Sequence, residues 1–397
     1  MDTSGTATSD VEGQCARGAA FIHSPELEKY HYPPDNPFKT ERAAMTCRML
    51  TSMGLLSAGD MLAPKPADRE VLEKFHTPQY LDTMIRAERG DLDVEGLYMG
   101  LGSAECPVFS GMYEYAALAC GATLAGAEAI LARKAKVAFN PSGGYHHAGP
   151  EKASGFCYVN DVVLACLALA EVGKSLHDPR GGRVLFLDVD VHHCDGVQNA
   201  FYDRADVLTM SFHESGRTLF PGTGFEDEIG IGEGRGYSVN VPLPVGVYDG
   251  AYMKAFRAVA PPITQAFNPD VIVLEIGMDC LSGDPLAHLN LTNNAYADVI
   301  EEMMHFGKPI LGTGGGGYNP YSTARGWALA WTILSGRQPE DLASCGLGGV
   351  MLESAEWEGG LRDRVLVPDA SRRAVVDAEV DATIDAVKAN VFSIHGL

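Results

Sequence analysis

The 397-residue sequence is short of basic residues, with 30 Lys and Arg against 52 Asp and Glu, a formal net charge of −22. Affinity for nucleic acid or for an anionic membrane comes from Lys and Arg meeting phosphates, so this balance predicts neither direct nucleic-acid binding nor membrane attachment. No run of about 18 apolar residues occurs, and no secretory n-region and h-region opens the chain. The nine cysteines, at 15, 47, 106, 120, 157, 166, 194, 280 and 345, include no C-x-x-C pair. They form neither a disulfide framework nor a thiolate zinc site, and a reducing, cytoplasmic setting is the simplest expectation. No internal repeat and no Pro/Gly/Ser-rich linker divides the chain. One large domain is therefore expected, although a length prior of about 150 residues per domain allows two or three. Residues 1–18 are small and polar and read as a disordered tail.

What is present is an alternation of short apolar runs with longer helical patterns. Strands are predicted at Lys136–Asn140, Arg183–Val191, Val207–Phe212, Tyr237–Val241, Val271–Ile276 and Pro309–Thr313. Helices are predicted at Met112–Arg133, Asn160–Val172, Tyr252–Phe267, Asn293–His305 and Ser322–Leu334. The runs from Val184 and from Val271 are continuously apolar, as for strands covered on both faces. Strand and helix in repetition predict an α/β fold with a mainly parallel sheet, whose sites gather beyond the carboxyl ends of the strands.

The chemistry-bearing residues cluster at those ends. After Leu185-Phe-Leu come Asp188, Asp190, His192, His193 and Asp195. Residues two apart on an extended strand face one side, so Asp188, Asp190 and His192 are expected together. Buried carboxylates that face each other need positive charge between them, and Asp oxygen with His nitrogen suits zinc or a similar ion. Asp279 ends the next apolar run. With Asp190 and His192 it makes three ligands and leaves a fourth position open, the pattern of a catalytic metal site. His146 and His147 lie in a glycine-rich loop after Asn140. Neighbours rarely bind one ion together, so acid/base work is preferred, with Asp188 and Asp195 free to orient them. The stretch Gly312–Gly317 formally matches G-x-G-x-x-G, but four consecutive glycines satisfy many patterns. A flexible backbone that lets Tyr318 project its hydroxyl into the site is the better reading.

Several segments together resemble the histone deacetylase family, including bacterial acetoin-utilisation deacetylases and acetylpolyamine amidohydrolases. They are Gly144-Tyr-His-His-Ala148, Ala153-Ser-Gly-Phe-Cys-Tyr-Val-Asn-Asp161, Asp188-Val-Asp-Val-His-His193, Ser211-Phe-His213, Phe220-Pro-Gly-Thr-Gly224, Asp279-Cys-Leu-Ser-Gly-Asp284 and Gly314-Gly-Gly-Gly-Tyr318. They occur in the family's order across roughly residues 20–335, and class I-like enzymes are the nearest type. The resemblance implies the arginase/deacetylase fold, a catalytic unit at 19–335 and a C-terminal extension at 336–397 packing on or continuing it. It implies Zn2+ (Fe2+ possible) on Asp190, His192 and Asp279, pairs His146–Asp188 and His147–Asp195, and Tyr318 polarising the substrate carbonyl. Gly155, Phe156, Phe220 and Leu286 would line an acyl-lysine tunnel. Glu105 would grip substrate at the rim, and Arg42 would serve an inner acetate pocket. K+ would sit at Asp188, Asp190, His192, Ser211 and Phe212, and again at Phe201, Arg204, Val207 and Tyr237.

Three residues depart from the commonest pattern: Cys194 for glycine, Glu275 for glutamine and Met278 for a small residue. The implied activity is removal of an acetyl or acyl group from the side chain of N-acetyl-lysine in proteins. Hydrolysis of small acetylated amines such as acetylpolyamines is the alternative. A ureohydrolase is disfavoured because no Asp-x-Asp pair for a second metal follows Asp279, and a silent acyl-reading module because the reactive residues are all present.

Overall fold

The computed structural model describes residues 18–176, 182–337 and 360–397. The tail expected at 1–18 lies, but for Gly18, outside the described residues. Eight strands form one sheet in the order β2-β1-β3-β8-β7-β4-β5-β6. They are β1 (Ala19–Ile22), β2 (Met61–Leu62), β3 (Val137–Asn140), β4 (Val184–Asp188), β5 (Val207–Glu214), β6 (Ser238–Leu243), β7 (Val271–Glu275) and β8 (Ile310–Thr313). All pairings are parallel, and the expected α/β class holds. Every residue of β4 and β7 is buried, which is why both read as unbroken apolar runs.

The register aligns one polar row across the carboxyl ends. Asn140 pairs with Thr313, Thr313 with Glu275, Glu275 with Asp188, Asp188 with Ser211 and Ser211 with Asn240. The apolar stems of these strands hold the sheet; the row closes β3, β4, β7 and β8 and lies within β5 and β6. The site is built on that row.

The predicted helices are found with shifted ends, among them Met112–Leu131, Asp161–Leu176 and Pro320–Ser335. Asn160 caps the helix Asp161–Leu176: its side-chain oxygen accepts from Val163 N at 2.9 Å. No element was expected before Met112 or after Leu334. There the chain forms β1, β2 and helices including Arg42–Ser52, Pro78–Glu88 and Ala370–Val391. The last of these joins the main core through Val376, Val380, Ile384, Val387 and Val391. It is tied to the sheet by Thr383 Oγ1, which donates to Pro242 O at 3.1 Å.

One expectation is corrected. β4 ends at Asp188, not Val191, so Asp188, Asp190 and His192 do not share a face by strand alternation. The chain leaves the sheet and each carboxylate caps the next turn. Asp190 N donates to Asp188 Oδ1 and His192 N donates to Asp190 Oδ1, both at 2.9 Å. Side-chain capping, not pleat, brings the three together.

Candidate active site

Asp190, His192 and Asp279 converge above the polar row, with one donor atom from each inside a 4.8 Å cluster. His192 Nδ1 stands 3.0 Å from Asp190 Oδ1 and 3.0 Å from Asp279 Oδ2. Asp279 Oδ1 accepts from Val191 N at 2.9 Å, and Asp190 Oδ2 accepts from Gly316 N at 2.6 Å. Backbone amides thus hold both oxygens of Asp190 and one of Asp279, and each carboxylate turns an oxygen to His192. Asp279 Oδ2 is buried and has no aligned hydrogen bond. Burial and the neighbouring Asp190 push the Asp279 carboxyl up to about 7. Two buried carboxylates with an orphaned oxygen and an imidazole nitrogen between them fit a divalent cation of the zinc type.

The glycines nearby make this possible. A Cβ at Gly277 would overlap Asp190 Oδ2, and one at Gly316 would overlap Asp279 Oδ2. The expectation that the glycine run lends flexibility is therefore revised: its backbone is packed against the carboxylates, and one of its amides holds Asp190. Met278 fills the space beneath, against Gly326 of the helix Pro320–Ser335.

The tandem histidines lie beside the cluster. His146 Nδ1 is 2.7 Å from Asp188 Oδ2, and His147 Nδ1 is 2.7 Å from Asp195 Oδ1. Their Nε2 atoms are 2.9 Å apart. Burial opposes charge on His146, but Asp188 and Asp190 outweigh it and push its pKa up to about 9. Burial and the neighbouring His146 hold His147 down to about 4, against the pull of Asp195. Without a bound metal, these shifts favour a single positive charge on the pair, on the inner ring, with the outer ring neutral. Glu275 packs against the inner ring, with Oε1 at 3.1 Å from His146 Nδ1. Its carboxyl is raised well above the usual range by burial and by Asp188 and Asp190.

A cavity of about 330 Å³ opens onto this cluster. Its wall includes His147, His192 and Tyr318, and the predicted Glu105, Gly155, Phe156, Phe220 and Leu286. The Phe156 ring lies 5.5 Å from Tyr318, and the Phe220 ring 5.0 Å from His147. Glu105 Oε2 accepts from Gly155 N at 3.3 Å, at the same wall. Arg42 is not part of the wall. It sits behind the glycine run, where Nη1 donates to Gly317 O at 2.8 Å and the guanidinium lies over Phe38 and Trp327.

Of the residues named for potassium, Asp188 and Ser211 are register partners at the strand ends, and Ser211 Oγ is 2.8 Å from His213 Nδ1. Phe201, Arg204 and Val207 lie elsewhere, from the end of the helix Asp195–Phe201 to the start of β5, with Arg204 forked onto Asp206 at 2.9 and 2.8 Å.

Sequence reasoning missed the residues that hold this machinery. Pro37, Ala104 and Leu219 complete the wall. Asp161 accepts from Gly144 N at 3.1 Å and Tyr145 N at 2.8 Å, and Asn160 Nδ2 donates to His146 O and Ala148 O. Asp284 accepts from Tyr318 N at 2.7 Å and Leu286 N at 2.9 Å. Their signal was present, because each is a short polar residue closing a motif segment beside a turn.

The histone deacetylase domain model matches residues 36–334. Histone deacetylase RPD3 of Saccharomyces cerevisiae is 37% identical over 322 residues, 80% of this chain and 72% of that protein. Histone deacetylase 8 of Xenopus tropicalis is 41% identical over 298 residues, covering 75% and 78%. Acetoin utilization protein AcuC of Bacillus subtilis is 38% identical over 330 residues, covering 81% and 84%. Among solved structures, an HDAC homolog from Aquifex aeolicus superposes with a TM-score of 0.82 at 34% identity, over 94% of this chain and all of that one. Sheet, cluster and comparisons agree, and the chain belongs to the histone deacetylase family.

Proposed function

We propose that this member of the family is a metal-dependent hydrolase that removes the acetyl or acyl group from N-acetyl-lysine side chains of proteins. The observation that carries the reading is the Asp190–His192–Asp279 triangle at the base of a cavity walled by His147 and Tyr318. A bound zinc or iron(II) ion there supplies Lewis-acid polarisation of the amide carbonyl and a lowered pKa for water.

The chain's own residues then divide the remaining work. His147, neutral and oriented by Asp195, takes the proton of the attacking water and returns it to the leaving amine. His146, already protonated against Asp188, supplies positive charge as the carbonyl oxygen becomes negative. The Tyr318 hydroxyl donates to that oxygen. Phe156, Phe220 and Leu286 exclude water around an aliphatic stem, and Glu105 holds the substrate at the mouth. Arg42, with its path to the Gly317 carbonyl, serves the acetate side. Potassium at Asp188, Asp190, His192, Ser211 and Phe212, and at Phe201, Arg204, Val207 and Tyr237, belongs to the same proposal.

The chemistry is carried by residues 19–335, with the C-terminal helix as a buttress. Among the described residues no helix is long and apolar enough to cross a membrane, and we propose a cytoplasmic location. An HDAC homolog solved in complex with SAHA, with a TM-score of 0.82 at 33% identity, supports the deacetylase reading.

Small acetylated amines are the second reading, since the Glu105 carboxylate at the wall is compatible with a cationic amine as well as with an acyl-lysine peptide. The test compares acetyl-lysine peptides, acetylpolyamines and longer acyl-lysines on the purified protein, with and without a hydroxamate. Peptide turnover that the hydroxamate blocks supports the first reading. Turnover confined to acetylpolyamines moves the assignment to the second.

A further inference from the structure

The two sides of the cavity mouth are joined by one buried carboxylate that takes no part in the chemistry above. Glu214 is the last residue of β5, and only 1% of its surface is exposed. Its Oε1 accepts from Thr218 Oγ1 at 2.9 Å and from His288 Nδ1 at 2.9 Å. Its Oε2 accepts from His288 N, also at 2.9 Å. Its own N–H donates to Val191 O at 2.8 Å, on the segment that presents His192.

Thr218 directly precedes Leu219 and Phe220, and His288 lies two residues after Leu286. Leu219 and Phe220 form one part of the cavity wall and Leu286 another. Both segments are loops, and loops on a rigid sheet take their position from whatever polar contacts tie them down. A buried carboxylate that lost its donors would be left desolvated, so the loops are held to Glu214 by more than the bonds alone are worth. The Thr218 hydroxyl and the His288 ring reach Glu214 from exposed positions, so either donor can be removed without opening the core.

We propose that Glu214 is a positioning residue that clasps the Thr218 and His288 loops and so sets the width of the acyl-lysine entrance between Phe220 and Leu286. This rests on the acyl-lysine reading of the cavity. The clasp reaches substrate only through the walls it holds. Its loss therefore weakens productive binding and leaves the chemical step, which uses His147 and Tyr318, nearly unchanged.

The test uses the full-length, metal-loaded protein and its Thr218→Val, His288→Ala, double and Glu214→Ala variants. With an acetyl-lysine peptide, KM is expected to rise about threefold to tenfold in each single loop variant, with kcat within about twofold of wild type. The double variant should be no worse than Glu214→Ala, because all act through one carboxylate. Thr218→Ser, which keeps the hydroxyl, should restore the wild-type KM. Unchanged KM in the loop variants, or a fall in kcat with KM fixed, overturns the clasp.

Hydrogen exchange at the His288 amide is read on the same samples and should quicken in Glu214→Ala. If the wild-type protein turns over no acyl-lysine peptide, the functional reading has failed. The exchange rate then decides the clasp alone, and equal rates in wild type and Glu214→Ala overturn it.

Discussion

At the floor of the cavity, Asp188, Asp190, Glu275 and Asp279 are entirely withdrawn from water. At its mouth, Phe220 keeps 38% of its surface exposed. The floor is positioned by sheet register and backbone amides: Glu275 opposite Asp188, Gly316 N on Asp190 and Val191 N on Asp279. The mouth is positioned by side chains that reach between loops, such as Glu105 to Gly155 N and Asp284 to Tyr318 N and Leu286 N. Floor residues therefore have almost no alternative positions, and changing one exposes an uncompensated charge. On the proposed acyl-lysine reading, mouth residues would meet the substrate's stem, where one contact more or less is a modest change in binding.

The largest effects are expected at the floor. Asp279→Asn or His192→Ala should leave a folded protein that binds no divalent ion and has no measurable turnover. Metal content by mass spectrometry checks this directly. Full metal occupancy in Asp279→Asn would end the claim that the triangle is the binding site. Removing the metal from wild type with a chelator should abolish turnover, and zinc or iron(II) should restore it.

The next effect separates the two histidines. His147→Ala should lower kcat by about 10²–10⁴-fold, the usual contribution of a positioned acid/base group. His146→Ala should cost less, because its proton is held and not transferred. Equal losses would erase the division between a neutral outer ring and a charged inner one. Tyr318→Phe comes next, with kcat down about 10²–10³-fold as one oxyanion donor is lost, the melting temperature being unchanged.

At the mouth the expected effect is smaller. Phe156→Ala should raise KM for an acetyl-lysine peptide about tenfold and leave kcat within about twofold, as loss of apolar contact with the stem implies. Initial rates across peptide concentrations separate the two. A kcat loss there as large as that of Tyr318→Phe would show that wall and chemistry are not separable.

The same contrast explains what the sequence made legible. Floor residues stand out because polar residues after unbroken apolar strands are conspicuous: Asp188 after Val184–Leu187 and Asp279 soon after Val271–Leu274. The tandem histidines and the glycine run were visible for the same reason. The path after Asp188 was not, because strand alternation and successive capping turns place residues two apart on similar sides. The pleat was assumed where capping operates. Asn160, Asp161 and Asp284 close segments that stand out in the sequence, but their partners are backbone amides and carbonyls, so residue type alone does not show what they hold. β2 has two residues, too few for any period. The C-terminal helix did show spacing, at Val376, Val380, Ile384, Val387 and Val391, but its charged residues masked it.

A further effect is on stability against pH, and it tests the histidine pair without turnover. In the metal-free protein His146 has a folded pKa of about 9, against an ordinary value of 6.5. Its contribution is fully present below about pH 6.5 and is lost as pH rises through about 9. His147 has a folded pKa of about 4, so between its ordinary 6.5 and 4 the unfolded chain binds the extra proton and stability falls as pH drops through that window. The pair alone predicts a melting temperature that is highest near pH 6.5 and declines on both sides. His146→Asn should flatten the alkaline arm and His147→Asn the acid arm. Both arms persisting in both variants would place the titrations on other groups. A bound divalent cation repels the proton on His146, so metal loading should draw the alkaline decline to lower pH as well as raise the whole curve.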